Sequence, residues 1–122
     1  MMNISDELEI FAKPYIEALI EKKCIDPVLL DIRDLASYAD VLLISSAKSN
    51  RQVKAIADHI HRTLKKQSIN AFHIEGLQES HWVLMDYGDV IIHIFYEPER
   101  KFYDLEGLWN DVDPIVLDNH LH

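Results

Sequence analysis

Asp86 and Asp89, three residues apart in HWVLMDYGD, are the pair in this sequence best placed to do chemistry. Paired carboxylates at strand ends bind Mg²⁺, and a nucleotidyl-transfer enzyme needs such a pair to clamp phosphate oxygens. It also needs groups that neutralise a triphosphate, and the one candidate is SSAKSNRQ at residues 45–52. A strand-to-helix turn there would aim a helix N-terminus at an anion, with Lys48 and Arg51 alongside. The turn has none of the glycines that let backbone amides close on phosphate. Ordinary capping by Ser49 or Asn50 therefore explains it more simply.

The other reactive side chains are less well placed. Cys24 is the only cysteine, which excludes an internal disulfide and a cysteine-built zinc site. Its setting, KKCIDP at a helix end, offers two lysines but no other device for lowering a thiol pKa. A lone thiol fits a reducing compartment. Of the seven histidines, His59 and His61 lie two apart on a helix and point to different sides. His120 and His122 stand at the chain end, and His93 reads as a part-buried structural or docking residue. No catalytic residue, metal site or cofactor is expected.

The carboxylate pair must be positioned by a hairpin. Two strand-like runs, HWVLMDY and DVIIHIFY, flank Tyr87-Gly88, which reads as a two-residue loop. That register sets Asp86 opposite Asp89 and Trp82 opposite His93. Alternation gathers Val83, Met85, Val90, Ile92, Ile94 and Tyr96 on a core face. The other face carries Trp82, Leu84, Asp86, Asp89, Ile91, His93 and Phe95, a mixture expected to be only part-buried. Like charges in cross-strand register repel by a few tenths to about 1 kcal/mol. Solvation at a turn relieves that repulsion, and so does a cationic partner. In the second case Trp82 and Tyr87 form an apolar contact rimmed by acids, which is how a protein-binding hot spot is built.

Around the hairpin the chain reads α-β-β-α-β-β-β-α. A helix over about residues 6–23 has Ile4 as a staple, Ser5 or Asp6 as N-cap, and Leu8, Phe11, Tyr15 and Leu19 on one stripe. Pro14 either kinks it or marks a turn before it. Asp26-Pro27 signals a turn, followed by strands at 28–32 and 40–47. Val53, Ile56, Ala57, Ile60 and Leu64 keep helical period after the SSAKSNRQ turn, and residues 71–76 form a short third strand. Pro98 opens a final helix whose inward stripe is Phe102, Leu105, Leu108 and Trp109. The fold class is α/β: one domain spanning 1–122, with a mixed sheet of about five strands flanked by helices. Residues 1–25 hold the N-terminal helix and 110–122 a peripheral tail.

Composition bounds the function. A chain of 122 residues with 48% hydrophobic content and seven Gly or Pro residues folds as one globular domain. Its 21 acids against 12 bases give a formal charge of −9, which disfavours direct nucleic-acid binding and attracts basic partners. No apolar run approaches a membrane span, and MMNISDELEIF has no targeting character, so the cytoplasm is the expected location.

The run at residues 40–57, then Glu75-Gly76, WVLMDYGDVIIHIF at 82–95 and ERKFYDLEGLW at 99–109 resembles the Iojap family of ribosomal silencing factors. That resemblance implies a nucleotidyltransferase-like core without the catalytic signature. It implies docking on the large ribosomal subunit through its protein number fourteen, a basic protein, so that the small subunit cannot join and translation is repressed in starvation. Large-subunit assembly is the alternative role, a nucleotidyltransferase-like enzyme a more distant one. Self-association as a homodimer also goes with the family. Carried over by position, the partner-binding residues are Trp82, Asp86, Tyr87, Gly88, Asp89 and His93, with Tyr103, Asp104 and Leu105 after them. The chain departs from the family at Ala47-Lys48, where a glycine and a small polar residue are common, which weakens any ligand role for that loop.

Overall fold

The structure is a computed structural model and describes residues 6–117. Ile4, Ser5, His120 and His122 lie outside the described residues, as does the side chain of Asp6. The elements run α1 (Asp6–Ile20), β1 (Ile25–Asp31), β2 (Val41–Ala47), α2 (Asn50–Lys66), β3 (His73–Glu75), β4 (Trp82–Asp86), β5 (Val90–Tyr96), α3 (Glu97–Tyr103), a 3₁₀ turn (Leu105–Trp109) and β6 (Ile115–Val116).

Six strands form one mixed sheet in the order β3-β4-β5-β2-β1-β6. β2 and β5 pair in parallel at its centre, and every other pair is antiparallel. The central pair is buried and largely apolar because both faces are covered: β2 is buried at all seven positions. The tail supplies the sixth strand. Ile115 and Val116 pair with Leu29 and Val28 at the sheet edge.

α1 and α2 cover one face. Their buried stripes meet Val83, Met85, Val90, Ile92 and Ile94, so the expected core face of the hairpin is the main core. Pro14 sits inside a continuous α1. An interior proline costs a helix about 3 kcal/mol or more; here Leu8, Ala12, Ile16 and Leu19, buried on either side of it, hold the helix to the sheet. α2 begins as capping chemistry requires. Ser49 Oγ accepts from the Gln52 amide at 3.1 Å, and Gln52 Oε1 accepts from the Lys48 amide at 3.1 Å. The SSAKSNRQ turn thus uses its own side chains on its amides.

The opposite face carries a smaller core built from Val28, Leu30, Ile32, Ala39, Leu42, Ile44, Ile91 and Phe95. Leu105 and Trp109 pack on it, but Phe102 and Leu108 do not; they are 80% and 76% exposed. The expected single C-terminal helix is therefore corrected. It breaks at Asp104, which adopts the left-handed conformation (φ 45°, ψ 53°), and the chain resumes as a 3₁₀ turn over Leu105–Trp109. Asp is among the few residues that tolerate this conformation. Its carboxylate crowds the place a Cβ on Gly107 would take, so Gly107 makes the tight return possible. Asp26-Pro27 is likewise not a turn before β1 but an irregularity within it, between Ile25 and Val28, with Asp26 at φ 45°.

Candidate docking surface

The hairpin register differs from the sequence expectation by two positions. Asp86 pairs with Ile91, Leu84 with His93 and Trp82 with Phe95, and the Tyr87 amide donates to the Val90 carbonyl at 2.9 Å. The two-residue loop is Gly88-Asp89. Gly88 alone has positive φ (88°), as a type II′ turn requires at its first position. Asp86 and Asp89 therefore do not face each other, and no cross-strand repulsion awaits a cation. Asp86 Oδ1 instead accepts from the Gly88 amide at 2.8 Å, an Asx turn that uses the carboxylate locally. Asp89 is exposed, and its carbonyl receives the Asp40 and Val41 amides, joining the loop to the start of β2.

Tyr87 is corrected as well. It lies 6% exposed in the main core, its ring edge-on to Tyr15 of α1 at 5.5 Å. Burial pushes its phenol up to about 12, and Tyr15 contributes. It cannot supply an outward contact in this position. Its hydroxyl has no hydrogen-bond partner among the described residues. A buried unpaired hydroxyl costs stability, so Tyr87→Phe is expected to hold or raise stability by about 1 kcal/mol and to leave partner binding unchanged. Urea denaturation with a co-sedimentation assay checks both; a loss above about 1 kcal/mol would show that the hydroxyl has a partner.

What remains on the small-core side is an aromatic surface. Trp82 stacks on Phe95 at 4.8 Å and touches Tyr103 at 4.9 Å, and Phe102 lies edge-on to Tyr103 at 5.1 Å. Trp82 and Leu84 are half-buried and Tyr103 is 49% exposed. The Trp82 indole N–H donates to His93 Nδ1 at 3.0 Å, which fixes the indole and the histidine tautomer together. His93 is itself buried, and burial lowers its pKa to about 4. Trp82, Leu84, Phe102 and Tyr103 thus form a preorganised apolar contact, with Asp86 on the same strand and Asp104 next in chain.

The family model described as "ribosomal silencing factor during starvation" matches residues 5–122. The chain belongs to the family of ribosomal silencing factors. The ribosomal silencing factor of Bacillus subtilis is 39% identical over 98 residues, covering 80% of this chain and 83% of that protein. A crystal structure of a Chromobacterium violaceum protein, 36% identical, superposes with a TM-score of 0.80 over 84% of this chain and 85% of that one. A mouse protein named for mitochondrial assembly of the ribosomal large subunit is 27% identical over 97 residues, 77% of this chain but 42% of that longer protein.

Two of the sequence segments that carry the silencing-factor resemblance, 82–95 and 99–109, meet in space. Trp82 and His93 of the hairpin join Tyr103 of α3, and Leu105 packs on the small core beneath them. Asp86, Gly88 and Asp89 sit at the turn end of the same hairpin, and Tyr87 turns away. One feature that holds this surface together was not legible in the sequence. Arg100 donates to both carboxylate oxygens of Glu106, at 2.9 and 3.2 Å, and also to the Ile25 carbonyl and Ser46 Oγ. This clamp fastens the broken C-terminal helix, and with it Tyr103, to the irregular start of β1. Its only sequence trace is an opposite-charge pair six apart across a proline-opened helix.

Proposed function

We propose that this chain docks on the large ribosomal subunit through protein number fourteen and blocks small-subunit joining by its bulk, repressing translation in starvation. One observation carries the choice of surface. A tryptophan locked by stacking and by a buried histidine stands beside two exposed aromatics, so it contacts a partner with little further loss of side-chain freedom. Asp104, next in chain to Tyr103, and Asp86, at the turn end of the Trp82 strand, complement a basic protein and steer the encounter. Steric blocking needs area and no catalytic group, about 1,200–2,000 Å² for a standard interface. No helix among the described residues is long and apolar enough to cross a membrane.

Co-sedimentation with isolated large subunits tests the surface. Trp82→Ala and Tyr103→Ala are each expected to weaken binding at least tenfold, as truncation of a hot-spot aromatic does. Asp86→Lys is expected to slow association more than it speeds release. Undiminished binding by a folded Trp82→Ala/Tyr103→Ala double variant would remove this surface from the reading. The mouse relative's name favours a second role, in large-subunit assembly, at the same surface. Ribosome profiles of cells lacking the protein separate the two. Immature large subunits during growth mark assembly, and excess joined ribosomes in starvation mark silencing.

A further inference from the structure

The net charge of −9 conceals a segregation of sign. Of the 12 bases, six (Lys48, Arg51, Lys54, Arg62, Lys65 and Lys66) lie between positions 48 and 66, against one acid, Asp58. The other six bases stand against 20 acids elsewhere, so this stretch is +5 in a remainder of −14. The structure puts all but Lys48 on α2. At 100° per residue, Arg51, Lys54, Arg62, Lys65 and Lys66 fall within an arc of about 120°, opposite the buried Val53, Ile56, Ala57, Ile60 and Leu64. All five are exposed, and none has an ion-pair partner among the described residues. The stripe is about 22 Å long at 1.5 Å per residue.

A merely solvated helix face mixes signs and sets opposite charges three or four residues apart. It also favours acids near its N-terminus, where the helix dipole is positive. α2 has no acid in its first turn and places Arg51 and Lys54 near that end. The chain thus accepts local electrostatic cost at that end, and Asp58, four residues from both Lys54 and Arg62, is the one acid on the face.

We infer that the outer face of α2 is a docking surface for the phosphate backbone of RNA. An extended row of unpaired cations, presented by a rigid helix, complements a polyphosphate chain and carries no device for reading bases. The choice of RNA among polyanions rests on the ribosome-binding reading. The face lies on the side of the sheet away from Trp82 and Tyr103, so both surfaces can be occupied at once. The acidic remainder keeps this binding local to one helix.

Fluorescence anisotropy of the full chain with a short labelled RNA duplex tests the inference, over a range of KCl concentrations. Engagement of four or five phosphates of a duplex predicts a slope of log affinity on log salt of about −3.5 to −4.5. Arg51→Gln/Lys54→Gln/Arg62→Gln/Lys65→Gln is expected to bind at least tenfold more weakly with a flatter slope. These are exposed positions, and an unchanged melting curve confirms the fold. Asp58→Asn, which removes the acid from the middle of the stripe, is expected to tighten binding, a gain that misfolding cannot mimic. Trp82→Ala should leave RNA binding intact, and the α2 variant should leave binding to the isolated basic protein intact, so failure of either surface is read separately. Unchanged RNA affinity in the quadruple variant, or equal competition by polyglutamate of matched charge, would overturn the proposal.

Discussion

Replacing Phe95 by alanine is expected to destabilise the protein by about 3–5 kcal/mol, against the roughly 5–15 kcal/mol that holds a domain of this size folded. Phe95 is fully buried at the centre of the smaller core and is one of the largest side chains there. On one side it stacks on Trp82; within the sheet its neighbours are Ser46 of β2 and Trp82 of β4. The site cannot collapse easily, because neighbours on both sides are held in strand register, so a cavity remains. Phe95→Leu keeps most of the volume and should cost far less. Urea denaturation at constant m-value measures both. A loss below about 1 kcal/mol for alanine would mean that the small core repacks freely. The variant should also loosen the Trp82 indole, so its effect on large-subunit binding should exceed what the unfolded fraction explains.

The second large effect concerns acid. His93 takes up a proton near pH 6.5 in the unfolded chain, but burial lowers that to about 4 in the fold. Between those values the unfolded state binds the extra proton. Stability therefore falls as pH drops from about 6.5 to 4, and this contribution levels off below 4. The full loss from this one group is on the order of 3 kcal/mol. His93→Asn keeps an acceptor near the Trp82 indole and removes the titration, so its stability should fall less over the same range. The difference between the two pH profiles isolates His93 from the carboxylates. An imidazole titrating near 6.5 in the folded protein, followed by NMR, would contradict the burial account. At neutral pH the ring is a permanent acceptor, which suits a residue that holds Trp82 in place.

The element order as far as the C-terminal helix, the two faces of the hairpin and the buried stripe of α2 were legible in the sequence, because periods of 2 and 3.6 report burial directly; the tail's two-residue strand, too short to show a period, was not. The hairpin register was not. Moving a strand by two residues leaves every side chain on the same face, so alternation cannot distinguish Tyr87-Gly88 from Gly88-Asp89 as the loop. Tertiary packing decides it: Tyr87 is held under α1 against Tyr15, which leaves Gly88 to open the turn beneath Phe72. The break at Asp104 was hidden for a similar reason. Phe102, Leu105, Leu108 and Trp109 keep helical spacing in sequence, and only the left-handed residue between them sends two inward and two out.

Residue order alone dictates which positions are apolar, which turn chemistry is available, and that the bases crowd into one stretch. It takes the folded arrangement to bring Trp82 and Tyr103 together, to withdraw Tyr87, and to set the basic helix across the sheet from the aromatic surface. Local spacing fixes the direction of a side chain relative to its own element. Which elements share a face depends on contacts between residues distant in the chain, and no short-range pattern carries that information.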